Sequence, residues 1–174
     1  MDLWLGKVTL SLWVTDGLGW MTTCIVYKDL SFYYCMFCYT SQDGTVIKVG
    51  ENAKDNDILT MESNPKEWWM HTSGYPGSHV VICYEGDEVP REVKRDAAVL
   101  AIHHSKTPES KMSWVDLVRV ENVSFTKQRG RVTLKGKVIQ LTVFMKRERE
   151  RLERLLQTRI QPSDVIHIFK SEVL

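Results

Sequence analysis

The stretch HVVICY at residues 79–84 constrains the fold more than any other. Val80 to Tyr84 is an almost unbroken apolar run between a Gly/Pro turn, GYPGS at 74–78, and the polar EGDE at 85–88. A strand that alternates apolar and polar residues can leave one face in water, whereas one without alternation has to be covered on both faces. This segment therefore reads as a central strand.

The clearest helix follows directly. Asp87 or Glu88 can cap it, Pro90 suits the first helical position, and Glu92 favours the positive end of the helix dipole. Val93, Ala97, Leu100, Ala101 and His104 recur on one face, and Ser105 with Thr107-Pro108 ends the run. Residues 1–14 and 20–40 read as strands separated by TDGLG. SQDG at 41–44 forms a hairpin turn joining Phe37–Thr40 to Thr45–Val49. Strands are also expected over Glu67–His71, Met112–Val120 and Asn122–Phe125, and 132–145 reads as a pair or one long strand. KRERERLERLLQTRI at 146–160 spaces Leu152, Leu155, Leu156 and Ile160 as a narrow apolar stripe on a charged helix, with Glu150 and Arg154 oriented as an i,i+4 pair. Strands and helices intermingle without a regular βαβ period. The expected class is α+β, with a mixed or antiparallel sheet, a packed helix and a C-terminal charged helix.

GENAKDNDIL at 50–59 puts Asn52, Asn56, Asp55 and Asp57 directly after an apolar strand. Turn chemistry explains such a cluster, and so does a recognition loop. In the following Trp68-Trp69, strand alternation turns one ring inward and offers the other to an unpaired base.

Composition excludes several classes. The four Cys do not make a disulfide scaffold in 174 residues, and read as reduced thiols of an intracellular protein. Cys35 and Cys38 form a C-x-x-C, but without a second pair or close His ligands no zinc site is expected. No run reaches the roughly eighteen apolar residues of a membrane span. MDLWLGKVTL has no basic n-region, which argues against a secretory signal. His71 and His79 flank the Gly/Pro turn and His103-His104 end the helix, yet no nucleophile signature accompanies them. We expect no catalysis and no cofactor. His71 and His79 should sit at strand ends, bonding backbone or contacting phosphate.

Charge is more telling. The net value of +1 hides an asymmetry: residues 1–90 hold five Lys, no Arg and twelve acids, so residues 91–174 hold eighteen cations and ten acids. The density peaks in KQRGRVTLKGK at 127–137. Lys127, Arg129, Arg131, Lys135 and Lys137 all occupy odd positions, and no acid occurs between Asn122 and Arg147. In an extended chain all five would share one face, with Val132, Leu134 and Val138 turned to the core. An edge strand uses Lys in this way against aggregation, but a row this dense favours a polyanion.

In order, GENAKDNDIL, WWMH, PGSHVVI, PREVKRDAAVLAIHHSK and RGRVTLKG resemble the motifs of NFACT-R, an RNA-binding domain family of ribosome quality-control factors. The likeness spans about 36–158, and the compact length with its trailing charged helix is most similar to stand-alone members. Two positions depart from the pattern: Glu51 stands where the family usually has Arg or Lys, and Glu67 where Asp is commoner. Phosphate contact is therefore not carried over to Glu51. Nor is the tailing chemistry of members with an NFACT-N portion. The resemblance implies an extension over 1–35, an NFACT-R-like domain over 36–145 and a charged helix and tail over 146–174. It implies a cytoplasmic protein, or one of organelle ribosomes, that binds tRNA or ribosomal RNA and through it the ribosome. Asn52 and Asn56 would shape a loop beside the RNA, reading bases or fixing backbone. The contacts expected are Lys127, Arg129, Arg131, Lys135 and Lys137, flanked by Lys106 and Lys111. The competing expectation is a protein–protein adaptor docking through 1–35 and 146–160.

Overall fold

A computed structural model describes residues 36–108 and 112–160 in full, and the backbone of two strands in 8–15 and 21–28. The chain divides into two compact units, Met1–Tyr34 and Cys35–Leu174. In the first, β1 (Val8–Thr15) and β2 (Met21–Lys28) pair antiparallel, Val8 opposite Lys28 and Thr15 opposite Met21. The DGLG part of the TDGLG turn, Cys35, Lys111 and the tail beyond 160 lie outside the described residues.

The second unit contains, in chain order, β3 (Met36–Thr40), β4 (Val46–Gly50), α1 (Ala53–Glu62), β5 (Trp68–Thr72), β6 (Val80–Ile82), α2 (Arg91–His103), β7 (Ser113–Arg119), β8 (Val123–Phe125), β9 (Val132–Leu134), β10 (Ile139–Val143) and α3 (Arg149–Gln157). Six strands form one sheet in the order β10-β7-β5-β6-β4-β3, antiparallel at every junction. β8 and β9 form a separate hairpin. The α+β class is observed, and the fully buried β6 lies inside the sheet as its unbroken apolar run requires.

Paired residues share a face, so the register sorts the core. Ile47, Val49, Val80, Ile82, Trp68, Met70, Val115 and Leu117 lie on the side covered by α2, whose Ala97 to Ile102 are all buried. Trp69, Val81 and Val118 point the other way, where α1 covers them. Trp69 Nε1–H donates to Thr60 Oγ1 of α1 at 3.1 Å. Both tryptophans are therefore buried, Trp68 at 8% and Trp69 at 1% exposure, and neither is free to stack on a base. The guanidinium of Arg119 closes the open side of Trp68, 4.1 Å above its ring.

The GENAKDNDIL segment forms a helix rather than a loop. Asn52 is its N-cap in extended conformation, and its Oδ1 accepts from the amides of Lys54 and Asp55. The cap satisfies two donors that a helix start leaves unpaired. The buried face of α1 is mostly polar (Asp55, Asn56 and Thr60 beside Leu59), so no apolar period announces it. Gly50, just upstream, lacks the Cβ that would come within 2.3 Å of Asn56 Oδ1.

α2 also begins differently from expectation. Pro90 precedes the first helical residue and no side chain caps it. Asp87 faces Arg119 at 3.7 Å and Glu88 faces Lys94 at 3.2 Å. α3 docks on its own chain: Leu155 is fully buried and Leu152 packs on the core, whereas Leu156 and Ile160 stay exposed. Burial of a leucine side chain contributes roughly 2–3 kcal/mol. Arg154 turns from Glu150 to the buried carboxylate of Asp96, 2.6 Å away. Ile160 and Cys38 exchange both backbone hydrogen bonds, at 2.9 and 3.1 Å, which covers part of the β3 edge. Half of the apolar stripe, Leu152 and Leu155, is thus spent inside the unit. No helix among the described residues is long and apolar enough to cross a membrane.

Candidate nucleic-acid interface

The basic segment 127–137 does not run straight. β8 and β9 pair with Val123 opposite Leu134 and Phe125 opposite Val132. Lys135 N–H donates to the Asn122 carbonyl (2.8 Å) and Thr126 N–H to the Arg131 carbonyl (3.1 Å), so only Arg131 to Lys135 is extended. Lys127 and Arg129 occupy the connecting turn, and Lys137 lies beyond a bend at Gly136, whose φ is +72°. A single row of five cations on one strand face is therefore absent. Alternation survives within the short ladder, where Val132 and Leu134 are half-buried and Arg131 and Lys135 exposed. All five cations are exposed, and none forms an ion pair among the described residues. They decorate the tip and base of a hairpin.

The tip is anchored. Gly130 N–H donates to Asp57 Oδ1 at 3.0 Å, with Oδ2 at 3.2 Å. Gly130 adopts φ +72°, and a Cβ there would meet the Ala53 Cβ at 2.8 Å. Glycine is needed both for the left-handed backbone and for this approach. Arg129 and Arg131 are therefore held on either side of a fixed point on α1.

Beneath the tip is a polar and aromatic cluster. His79, 1% exposed, donates its backbone N–H to Asn56 Oδ1 (2.9 Å). Its Nδ1 lies 2.8 Å from Thr60 Oγ1 and 3.1 Å from the Asn56 carbonyl. Asn56 Nδ2–H donates to the Gly77 carbonyl at 3.2 Å. Asn56 and His79 thus fix backbone, one of the two roles each was expected to fill. His71 is half-buried, its ring 5.6 Å from His79 and 5.8 Å from Trp69.

Burial pushes the His79 imidazole down to about 4, the neighbouring His71 adds to the push, and backbone bonds to Asn56 and Gly130 oppose it. His104 is also held down at about 4, chiefly by burial. His71 is lowered for the same reason. The unfolded chain, whose histidines titrate near 6.5, binds more protons than the folded one between pH 6.5 and 4. This stabilisation is complete above pH 6.5 and is lost as pH falls toward 4. The expected loss for His79 alone is on the order of 3 kcal/mol across the window. Urea unfolding midpoints at stepped pH should show it, and His79→Gln should flatten the slope.

An open cleft of about 300 Å³ adjoins the cluster, lined by Glu51, Asn52, Gly77, Ser105 and Lys106 among others. Lys106 is exposed, its backbone tied to the Pro76 carbonyl at 2.9 Å. Residues of GENAKDN, PGSH and HHSK, distant in sequence, meet here. The exposed Trp114 of β7 was not anticipated, although SWVDLVR carries the signal: Val115 and Leu117 turn inward, so Trp114 and Asp116 turn out.

The family model described as the NFACT protein RNA binding domain matches residues 32–141, well over half the chain. The Rqc2 homolog RqcH of Streptococcus suis is 39% identical over 107 residues, covering 56% of this chain and 19% of that protein. The Rqc2 homolog RqcH of Bacillus subtilis is 35% identical over 86 residues, 49% of this chain and 15% of that protein. The chain thus spans less than a fifth of the length of these curated relatives. The solved C-terminal part of the fibronectin/fibrinogen-binding protein from Streptococcus suis superposes with a TM-score of 0.63 at 30% identity, over 79% of this chain and 52% of that one. The chain belongs to the NFACT-R family of RNA-binding domains.

Proposed function

We propose that this protein binds tRNA or ribosomal RNA without catalysing a reaction on it, and that it works on the ribosome in the cytoplasm. The observation that carries the reading is the hairpin 122–137, five exposed cations with no acidic ion-pair partner among the described residues, its tip anchored on α1 at Asp57. Lys106 extends the cationic surface past the cleft, and Lys111 follows it in the chain. Such cations neutralise phosphates and release counterions, which gives affinity and orientation but no sequence readout. Asn52 and Asn56 serve by holding the start of α1 and the Gly77–His79 backbone in place. The relatives' names, Rqc2 homolog, support a place in ribosome quality control.

The test is salt. Four to five neutralised phosphates predict a log–log slope of affinity against salt of about −3 to −4. A flat slope, measured by anisotropy on labelled tRNA and on a ribosomal RNA fragment, refutes the reading. In sucrose gradients the protein should travel with ribosomes and leave those fractions on RNase treatment.

A further inference from the structure

Trp114 is half exposed, at 50%, and Met112 and Tyr75 are exposed too, at 63% and 38%. A tryptophan left in water on a strand forgoes the burial that usually accounts for the residue. Its position is defined by backbone. The Trp114 carbonyl accepts from Ser73 N–H at 2.8 Å, at the start of the 73–77 turn that carries Tyr75. The next residue of that turn, Pro76, accepts from Lys106 N–H. On the other side, Asp116 shares the outward face with Trp114 and pairs in register with His71, which meets His79 beneath the Gly130 tip. Backbone thus ties Lys106 to the turn that carries Tyr75, and ties the Gly130 tip between Arg129 and Arg131 to the His79–His71 pair beside Asp116.

We infer that Trp114 and Tyr75 form a stacking platform for unpaired bases of the bound RNA, whose phosphates run between Lys106 and the hairpin tip. The inference rests on the RNA reading above and refines it to single-stranded or looped segments. Aromatic faces take splayed-out bases of any sequence, whereas bases in a duplex are already stacked. Asp116 favours the same arrangement. Its carboxylate, accepting from Gln140 Nε2–H at 2.9 Å, repels phosphate from this face and leaves it to the base.

The test compares the 174-residue chain with Trp114→Ala, Trp114→Phe and Tyr75→Ala, on a labelled oligouridine of about a dozen nucleotides and on an RNA duplex of the same length. Trp114→Ala should weaken oligouridine binding by about tenfold to a hundredfold, with the salt slope and duplex affinity unchanged. Tyr75→Ala should act in the same direction, and Trp114→Phe should retain most of the affinity. Trp114→Ala binding the single strand like wild type overturns the platform, and so does an equal loss on both RNAs. If Trp114→Ala instead turns a dimer into a monomer by light scattering with RNA affinity intact, the ring serves a second copy and the inference fails. Wild type binding neither RNA refutes the RNA reading itself, a result distinct from the loss of stacking alone.

Discussion

Replacing Arg129, Arg131, Lys135 and Lys137 with Glu in one variant should lower RNA affinity by at least about a hundredfold at 0.1 M salt. All four side chains are exposed and none is in an ion pair among the described residues, so the substitution turns a cationic hairpin anionic without removing a fold contact. The melting temperature should stay within a few degrees of wild type, which separates lost binding from lost folding. A companion variant supplies the control. Lys146→Glu with Arg149→Glu changes exposed cations at the start of the α3 region, away from the hairpin, and should cost far less affinity. Equal losses in both variants would mean that net charge, rather than the hairpin, governs binding.

The second large effect concerns stability. Asp96 is fully buried on α2. Its Oδ1 accepts from Arg151 at 2.5 Å and from Arg154 at 2.6 Å, and its Oδ2 accepts from Ser41 Oγ–H at 2.6 Å. Arg151 also reaches Glu92 at 2.7 Å and Glu148 at 3.0 Å, and Glu148 reaches Arg95 at 2.6 Å. One carboxylate thus joins α2, α3 and the turn after β3. Asp96→Ala leaves two guanidinium groups and a hydroxyl around a cavity, and should destabilise by about 3 kcal/mol or more. Asp96→Asn keeps the shape and should cost less. Urea unfolding measures the difference, and limited proteolysis should show α3 cleaved earlier. A loss below about 1 kcal/mol for Asp96→Ala would mean the arginines find water as readily as the carboxylate. RNA affinity of the folded fraction should not change, because the hairpin is not part of this network.

Some of this was legible because it depends on local chemistry. Asp43-Gly44 specified the β3–β4 turn, the unbroken VVICY placed β6 inside the sheet, and the period of Val93, Ala97 and Leu100 defined α2. The identity and exposure of the five cations were also readable, since nothing acidic lies near them in the chain. What failed depends on partners far away in sequence. α1 buries Asn56 and Thr60, polar residues that become core only when Trp69 of β5 and His79, just before β6, arrive to bond them. Trp69 is buried because that helix exists, so strand alternation alone misjudged it.

The sequence by itself determined that the chain mixes strands with helices and concentrates positive charge in residues 127–137, because turn propensity, periodicity and charge are properties of neighbouring residues. Only the tertiary structure decided where those charges stand. The ribbon turns at Gly130 because Asp57, 73 residues away, takes its amide, and a glycine accepts the left-handed backbone that this contact imposes. Long-range hydrogen bonds and close approaches of this kind leave no period in the chain, so they are visible only once the elements are packed.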